Sequence, residues 1–258
     1  MRFRDRDVLV TGGSGALGSR VVEHIAGEGG RVVVVARAPV DAQDTLVGDL
    51  STPEGLEAVA TSVAARSWDI LINIAGVQHF GPLEQQTPDH LLATYMVNLV
   101  APARLAQAVL PGMKARGRGQ IANVGSIFGS INFAHFATYS SAKAGMRALS
   151  QALRRELVGT GVKVTYVAPR AVATPLNSAK VAEYARLTGM AMDDPDRIAR
   201  RIVAAVRSDS RDVYLGFPEN LFVRLNGLAP GLIDGALKSN DLKARALFAG
   251  STQKETIG

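Results

Sequence analysis

Tyr139 and Lys143 stand four residues apart in the stretch Tyr139-Ser140-Ser141-Ala142-Lys143. On a helix that spacing puts a phenol and an ammonium on one face. A phenol beside a cation is an acid–base pair, because a nearby positive charge favours the phenolate and lowers its pKa. With five tyrosines and seven lysines in 258 residues, chance supplies about 0.14 such pairs, so the spacing is informative without being decisive. The bland reading is an exposed helix pair. What favours chemistry is the position, since Val124-Gly125-Ser126 precedes the pair at the end of an apolar run. Open α/β sheets bind their ligands at the carboxyl ends of strands.

A second constellation lies near the N-terminus, where Thr11-Gly12-Gly13-Ser14-Gly15-Ala16-Leu17-Gly18 follows one apolar run and opens another. Glycines in such a turn let the backbone approach a pyrophosphate, whose charge then rests on free helix N–H groups. A tight structural turn is the competing reading. A strand before the glycines and a helix after them favour a dinucleotide site.

These groups need a scaffold, and the hydrophobic pattern describes one. Short β-branched runs at 7–11, 31–36, 69–74, 120–124, 162–167 and 212–215 read as buried strands, with 45–47 a shorter seventh. Between them, 17–28, 53–66, 88–114, 139–158 and 195–208 carry helical periodicity. Thr87-Pro88 and Asp194-Pro195 look like helix starts, a capping side chain followed by proline at the first helical position. The alternation predicts an α/β fold: a single doubly wound Rossmann-type domain whose mostly parallel sheet of about seven strands has helices on both faces. The segment between the second and third strands is too short for a crossover helix and is predicted to be an extended loop. The catalytic domain is expected over 1–216 with a substrate lid at 171–194, and a helical extension of the same domain over 217–258, broken at Pro230.

Composition excludes several classes. Apolar residues make up 47% of the chain and charged ones 20%, which supports a sizeable core and excludes global disorder. There are no cysteines, hence no disulfides and no thiolate chemistry. The net charge of +6 comes from scattered basic residues, and aromatics are only 5%, so no nucleic-acid partner is expected. The apolar stretch after the charged N-terminus is too short for a secretory signal, and a cytoplasmic location is the expectation. The histidines lack metal-ligand spacing, so no metal is expected.

Taken together, the chain from residue 6 to about 216 resembles the short-chain dehydrogenase/reductase family. The matching features are the Thr-Gly-rich turn, Asp49, Asn73-Ile74-Ala75-Gly76, Asn98, Ser126, the Tyr139/Lys143 motif, and Pro169 with Thr174. Their order fits, including thirteen residues from Ser126 to Tyr139. The resemblance implies an oxidoreductase that transfers a hydride between nicotinamide C4 and a carbonyl or alcohol carbon of a small molecule. Tyr139 would be the general acid or base, Ser126 would hold the substrate oxygen, and Lys143 would bind the nicotinamide ribose and lower the tyrosine pKa. Asn98 would complete a proton relay, at a kink where Pro102 denies its carbonyl a helical partner. The implied cofactor residues are Gly12, Ser14, Gly15, Ala16, Leu17, Gly18, Ala36, Arg37, Asp49, Leu50, Asn73, Ala75, Gly76, Tyr139, Lys143, Pro169, Val172 and Thr174. A homodimer or homotetramer is implied, packed through the helices at 88–114 and 139–158, where Ala142, Gly145 and Ala148 would permit close approach.

Several positions leave alternatives open. Arg37 follows the second strand where a carboxylate would select NAD(H); its guanidinium suits a 2′-phosphate, so NADP(H) is preferred and NAD(H) is the alternative. Ala16 stands where the family usually has glycine. The resulting Gly-x-x-Gly-x-x-Gly spacing hints at a sugar-nucleotide epimerase, and a catalytically idle dinucleotide-binding regulator or scaffold is the other competitor. Arg170, where glycine often follows the proline, would select an anionic substrate or lie solvated in a loop. His135 would line the pocket or sit on the surface. The extension carries many apolar residues among basic ones, and its readings are a pocket cover, a subunit contact, or peripheral docking on a membrane surface.

Overall fold

The β-branched runs pair as a sheet because each has apolar side chains on both faces and must be covered on both. In the computed structural model, which describes residues 3–41 and 43–249, β1 (Asp7–Thr11), β2 (Arg31–Ala36), β3 (Asp44–Val47), β4 (Ile70–Asn73), β5 (Gly119–Val124), β6 (Val162–Pro169) and β7 (Asp212–Leu215) form one sheet. Its order is β3-β2-β1-β4-β5-β6-β7, and every neighbouring pair is parallel. Alternation along β1 divides the core. Leu9 faces a layer built on α2 (Pro53–Ala64) and α4 (Ala101–Ala115). Val8 and Val10 face α1 (Ala16–Gly27) and α7 (Pro195–Arg207). The chain leaves β1 toward β2 on one side and returns to β4 on the other, so a crevice opens at the carboxyl ends of β1 and β4.

The two cap-plus-proline starts hold. Thr87 accepts from the His90 N–H at 3.3 Å to begin α3 (Pro88–Tyr95), and Asp194 accepts from the Arg197 N–H at 2.8 Å to begin α7. As predicted, 37–43 crosses from β2 to β3 without a helix among its described residues. The continuous helix expected over 88–114 is corrected. A π-helical turn over Met96–Val100 separates α3 from α4, because Pro102 has no N–H to continue the α-helical ladder. The segment 171–194 contains a helix the pattern did not announce, α6 (Ala179–Thr188). Ser178 caps it by accepting from the Val181 N–H at 3.3 Å, and Gly189 ends it at φ +69°, a conformation glycine adopts without steric cost.

Beyond β7 lie α8 (Glu219–Leu228) and α9 (Pro230–Ala249), with Pro230 at the break as expected; the rest of the predicted extension, 250–258, lies outside the described residues. Val223 and Ile233 turn inward against Ile127 and Ile131. Leu221, Leu228, Leu232 and Leu242 stay exposed. No helix among the described residues is long and apolar enough to cross a membrane. On α5 (Ala137–Glu156) the small residues serve partly within the chain: a Cβ on Gly145 would lie 2.8 Å from Leu99, and Ala142 is fully buried.

Candidate active site

A cleft of about 750 Å³ runs across the carboxyl ends of β1, β2, β4, β5 and β6. Its first end is the glycine turn. Gly12 has φ +69°, and a Cβ there would sit 2.7 Å from Ala75 Cα; a Cβ on Gly18 would sit 2.0 Å from the Gly12 carbonyl oxygen. These two glycines are required by close backbone approach. Gly15 precedes α1 in an extended conformation and supplies no side-chain cap, and no acidic residue occupies the helix's first turn. The N–H groups of Ala16, Leu17 and Gly18 therefore begin the helix uncapped beside the cleft. Ala16 is accommodated because it is already helical, with negative φ.

Thr11, read only as part of the turn, has a further role. Its Oγ1 accepts from the N–H groups of Ile74 and Ala75, each at 3.2 Å, tying the start of the Ile74-Ala75-Gly76 wall to β1. Arg37 and Asp49 lie at the β2–β3 end of the cleft, with Ala36 and Leu50 beside them. Asp49 accepts from the N–H and hydroxyl of Ser51 at 2.8 and 2.7 Å, and these bonds hold its carboxyl below the usual range. Arg37 is exposed and makes no hydrogen bond or salt bridge with the other described residues. Pro169, Val172 and Thr174 line the opposite wall.

The expected place of Asn73 is corrected. It does not line the cleft: as the last residue of β4 it turns into the sheet, where its amide donates to Asn123 Oδ1 at 2.8 Å. Asn123 in turn donates to Ser150 at 2.9 Å, so the pair links β4 and β5 to α5.

Ser126, Tyr139 and Lys143 meet on the cleft floor. Ser126 ends the loop after β5, where its Oγ accepts from the Phe128 N–H at 3.1 Å. The following turn packs onto α5 so closely that a Cβ on Gly129 would lie 2.6 Å from the Lys143 backbone. Tyr139 is 8% exposed and Lys143 3%. The lysine Nζ donates to the Val124 carbonyl at 3.1 Å and lies 5.8 Å from the centre of the Tyr139 ring. Burial pushes the phenol up to about 12, opposed by Ser126 beside it. Burial also pulls the lysine down to about 8. The expected lowering of the phenol is therefore not the balance within this chain, where desolvation prevails.

Asn98 sits within the π turn, fully buried, and donates through Nδ2 to the carbonyls of Val77 and Thr94 at 2.7 and 2.8 Å. It does not line the cleft, yet its Oδ1 and the Lys143 Nζ both face Gly76, whose Cβ would lie 3.0 and 3.7 Å from them. That oxygen is buried and has no hydrogen-bond partner among the described residues.

Two open readings can be set against the packing. Arg170 is neither an anion selector nor a solvated loop residue. Its Nε and Nη2 donate to both Asp193 oxygens at 3.0 and 2.9 Å, and Nη1 donates to Glu219 and to the Phe217 carbonyl, each at 3.2 Å. His135 is not among the residues lining the cleft; it is half-buried in a turn, nearer the surface alternative, with its ring tilted 5.0 Å from that of Phe248 and edge-on to Phe80 at 6.3 Å. No group of three or more histidines and carboxylates that could hold a metal occurs among the described residues.

The segment expected as a lid, 171–194, supplies Leu176, Val181 and Met190 to the far wall of the cleft; Phe128 and Phe136, which complete that wall, were not foreseen. Nor was the bridge across the cleft, where Gln78 Nε2 donates to the Leu176 carbonyl at 2.9 Å and Asn177 Oδ1 at 3.2 Å.

The chemistry of these donors fits a nicotinamide dinucleotide. Uncapped N–H groups at the start of a helix, beside a turn kept tight by Gly12 and Gly18, suit a pyrophosphate, and a phenol and an ammonium close the other end. The comparisons agree. Residues 6–185 match the short chain dehydrogenase family. The chain is 31% identical over 219 residues to the 3-oxoacyl-[acyl-carrier-protein] reductase FabG of Vibrio cholerae, covering 78% of this chain and 90% of that protein. It superposes on a short-chain dehydrogenase of Streptomyces avermitilis with a TM-score of 0.74 at 28% identity, covering 93% of this chain and 99% of the other. It likewise superposes on one from Sphingobium yanoikuyae in complex with NADPH, with a TM-score of 0.76 at 28% identity, covering 89% and 95%. With its seven-stranded parallel sheet and the match over most of its length, the chain belongs to the short-chain dehydrogenase/reductase family of oxidoreductases.

Proposed function

We propose that the protein is an NADP(H)-preferring carbonyl reductase or alcohol dehydrogenase in which Tyr139 gives the substrate oxygen its proton. The observation that carries this reading is the burial of Ser126, Tyr139 and Lys143 together on the floor of a cleft whose other end is the glycine turn. When bound, NADPH supplies the hydride to the carbonyl carbon. A phenol held near 12 is a protonated acid at every physiological pH, which suits the reductive direction. Ser126 holds the carbonyl oxygen beside it. Lys143 donates to the nicotinamide ribose hydroxyls, and its charge eases the transfer by stabilising the phenolate that remains. Asn98 backs the lysine through its buried Oδ1. Nicotinamide absorbance with a panel of ketones, aldehydes and alcohols tests the activity directly, and NADPH binding without turnover of any member would refute it.

Arg37 makes the cofactor preference testable. A charge-assisted hydrogen bond is worth about 1.5 kcal/mol or more, which is about tenfold in affinity. Arg37→Ala is expected to lower kcat/KM for NADPH by about that factor and leave NADH little changed. A wild-type preference for NADH would overturn the assignment.

Lys143 sets the pH dependence. With its pKa pulled down to about 8, the ammonium is present below that pH and lost as pH rises through it. The kcat/KM for reduction reports groups of the free enzyme, so it should fall above about pH 8. Lys143→Met should give a lower, flat profile. A wild-type profile flat through that region would contradict the role given to the lysine.

A further inference from the structure

Resting on the reductase reading just given, we infer that the substrate is a ketone or aldehyde whose carbonyl is attached to an uncharged, predominantly apolar body, an alkyl chain or an aryl group, and is not a sugar or an oxo acid. Around Tyr139 the cleft is walled by Phe128, Phe136, Leu176, Val181 and Met190. Phe128 and Phe136 belong to a packed aromatic set, with Phe80 stacked 4.5 Å from Phe136, Phe133 tilted 4.5 Å from Phe128, and Phe128 edge-on to Phe136 at 4.9 Å. A second layer stands behind the wall, where Tyr184 and Ala244 are buried and Met192 and Leu247 pack against them. Well-packed aromatic walls do not rearrange to meet a polar ligand.

The charges in the cleft are all committed elsewhere or distant. Arg37 and Asp49 belong to the far, β2–β3 end. Lys143 is bonded to the Val124 carbonyl. Arg170, the other cation lining this end among the described residues, has Asp193 and Glu219 on its guanidinium. The amides are engaged too: Gln78 donates to Leu176 and Asn177, and Asn177 donates to the Val172 carbonyl at 2.7 Å. A carboxylate entering this end would lose its water and meet only cations that already have partners, and a polyol would bury hydroxyls against phenyl rings. An alkyl or aryl body loses nothing and gains burial. His90, Ser126, Tyr139 and Thr174 are the polar side chains that remain at this end among the described residues, and one carbonyl needs no more.

The test compares 2-octanone with 7-oxooctanoate, which share a methyl ketone and differ in a terminal carboxylate, and acetophenone with a ketohexose. Turnover is read as NADPH oxidation by the full-length protein. The apolar member of each pair should show a kcat/KM at least tenfold higher. Met190→Lys, at a half-buried lid position, should shift the octanone-to-oxooctanoate ratio tenfold or more toward the acid, with NADPH affinity unchanged. Equal or better turnover of the acid or the sugar overturns the inference and leaves the reductase reading standing. If NADPH binds and no member is reduced, the reductase reading fails. The apolar character of the site is then read from ligand binding to the NADPH-loaded protein: tenfold tighter 2-octanone supports it, and no preference overturns it.

Discussion

Tyr139→Phe is expected to lower kcat for carbonyl reduction by about 10²- to 10⁴-fold, the usual worth of a positioned general acid, while NADPH affinity stays near that of the wild type. The substitution removes one hydroxyl from a residue that is 8% exposed and keeps the ring against Phe128, whose centroid is 6.1 Å away. Packing is preserved, so a loss of activity reports the proton and not the fold. The remaining groups still bind the cofactor, because the glycine turn and Lys143 are untouched. The check is single-turnover kinetics beside a fluorescence titration with NADPH. Retention of more than about a tenth of wild-type kcat would remove the tyrosine from the role of acid.

The second large effect concerns Asp193, which does no chemistry. It is 3% exposed, receives two hydrogen bonds from Arg170, and also pairs with Arg197. Its backbone closes the base of the lid segment, accepting from the Ala173 N–H at 2.9 Å and donating to the Ala171 carbonyl at 2.8 Å. Arg170 reaches onward to Glu219 at the start of α8. One guanidinium thus ties the end of β6, the base of the lid and the C-terminal helices together. Asp193→Ala leaves a mostly buried cation with one of its two acidic partners. Breaking a buried pair from one side costs about 3 to 5 kcal/mol, and the lower figure applies because Glu219 remains. For a domain of this size that is a fall in Tm on the order of 10 °C. The substrate KM should rise with it, since Leu176 and Asn177 hang from the same base, whereas Asp193→Asn should recover part of both losses. A shift of less than about 2 °C in thermal unfolding would show that solvent replaces the carboxylate, leaving the clamp without weight.

The exposed carboxylates that pair with arginines elsewhere, such as Glu57 with Arg104 at 2.7 Å, carry no comparable expectation. Water competes for both partners there, and such pairs are worth little. Burial separates the two cases, and burial is a property of the fold.

Some of this protein was legible in the order of its residues. The strand pattern, the caps at Thr87 and Asp194, the glycine turn, and the four-residue spacing of Tyr139 and Lys143 are local features. Each follows from backbone sterics or helical periodicity within a few positions, so the sheet, most helices and the floor of the cleft could be anticipated. The π turn at Met96–Val100 was half visible: Pro102 announced a disruption, while the form it takes depends on what packs around Asn98. The lid helix at Ala179–Thr188 was not visible. Its buried Val181, Tyr184 and Ala185 make too short an apolar stripe to stand out.

What only the tertiary structure decided is who meets whom across long separations. Arg170 was an unassigned charge until Asp193 and Glu219, distant in the chain, were brought to it. Asn73 matched a binding motif, yet its amide turns to Asn123 on the neighbouring strand. The phenol of Tyr139 is expected to be lowered by its lysine in the cofactor-bound enzyme, whereas within the chain alone enclosure by the surrounding elements pushes it up. In each case residue type and spacing determined what a side chain is able to do. Its partner, its solvent and its charge state were set by atoms far away in sequence, because hydrogen bonding and desolvation act through space, over distances the order of residues does not record.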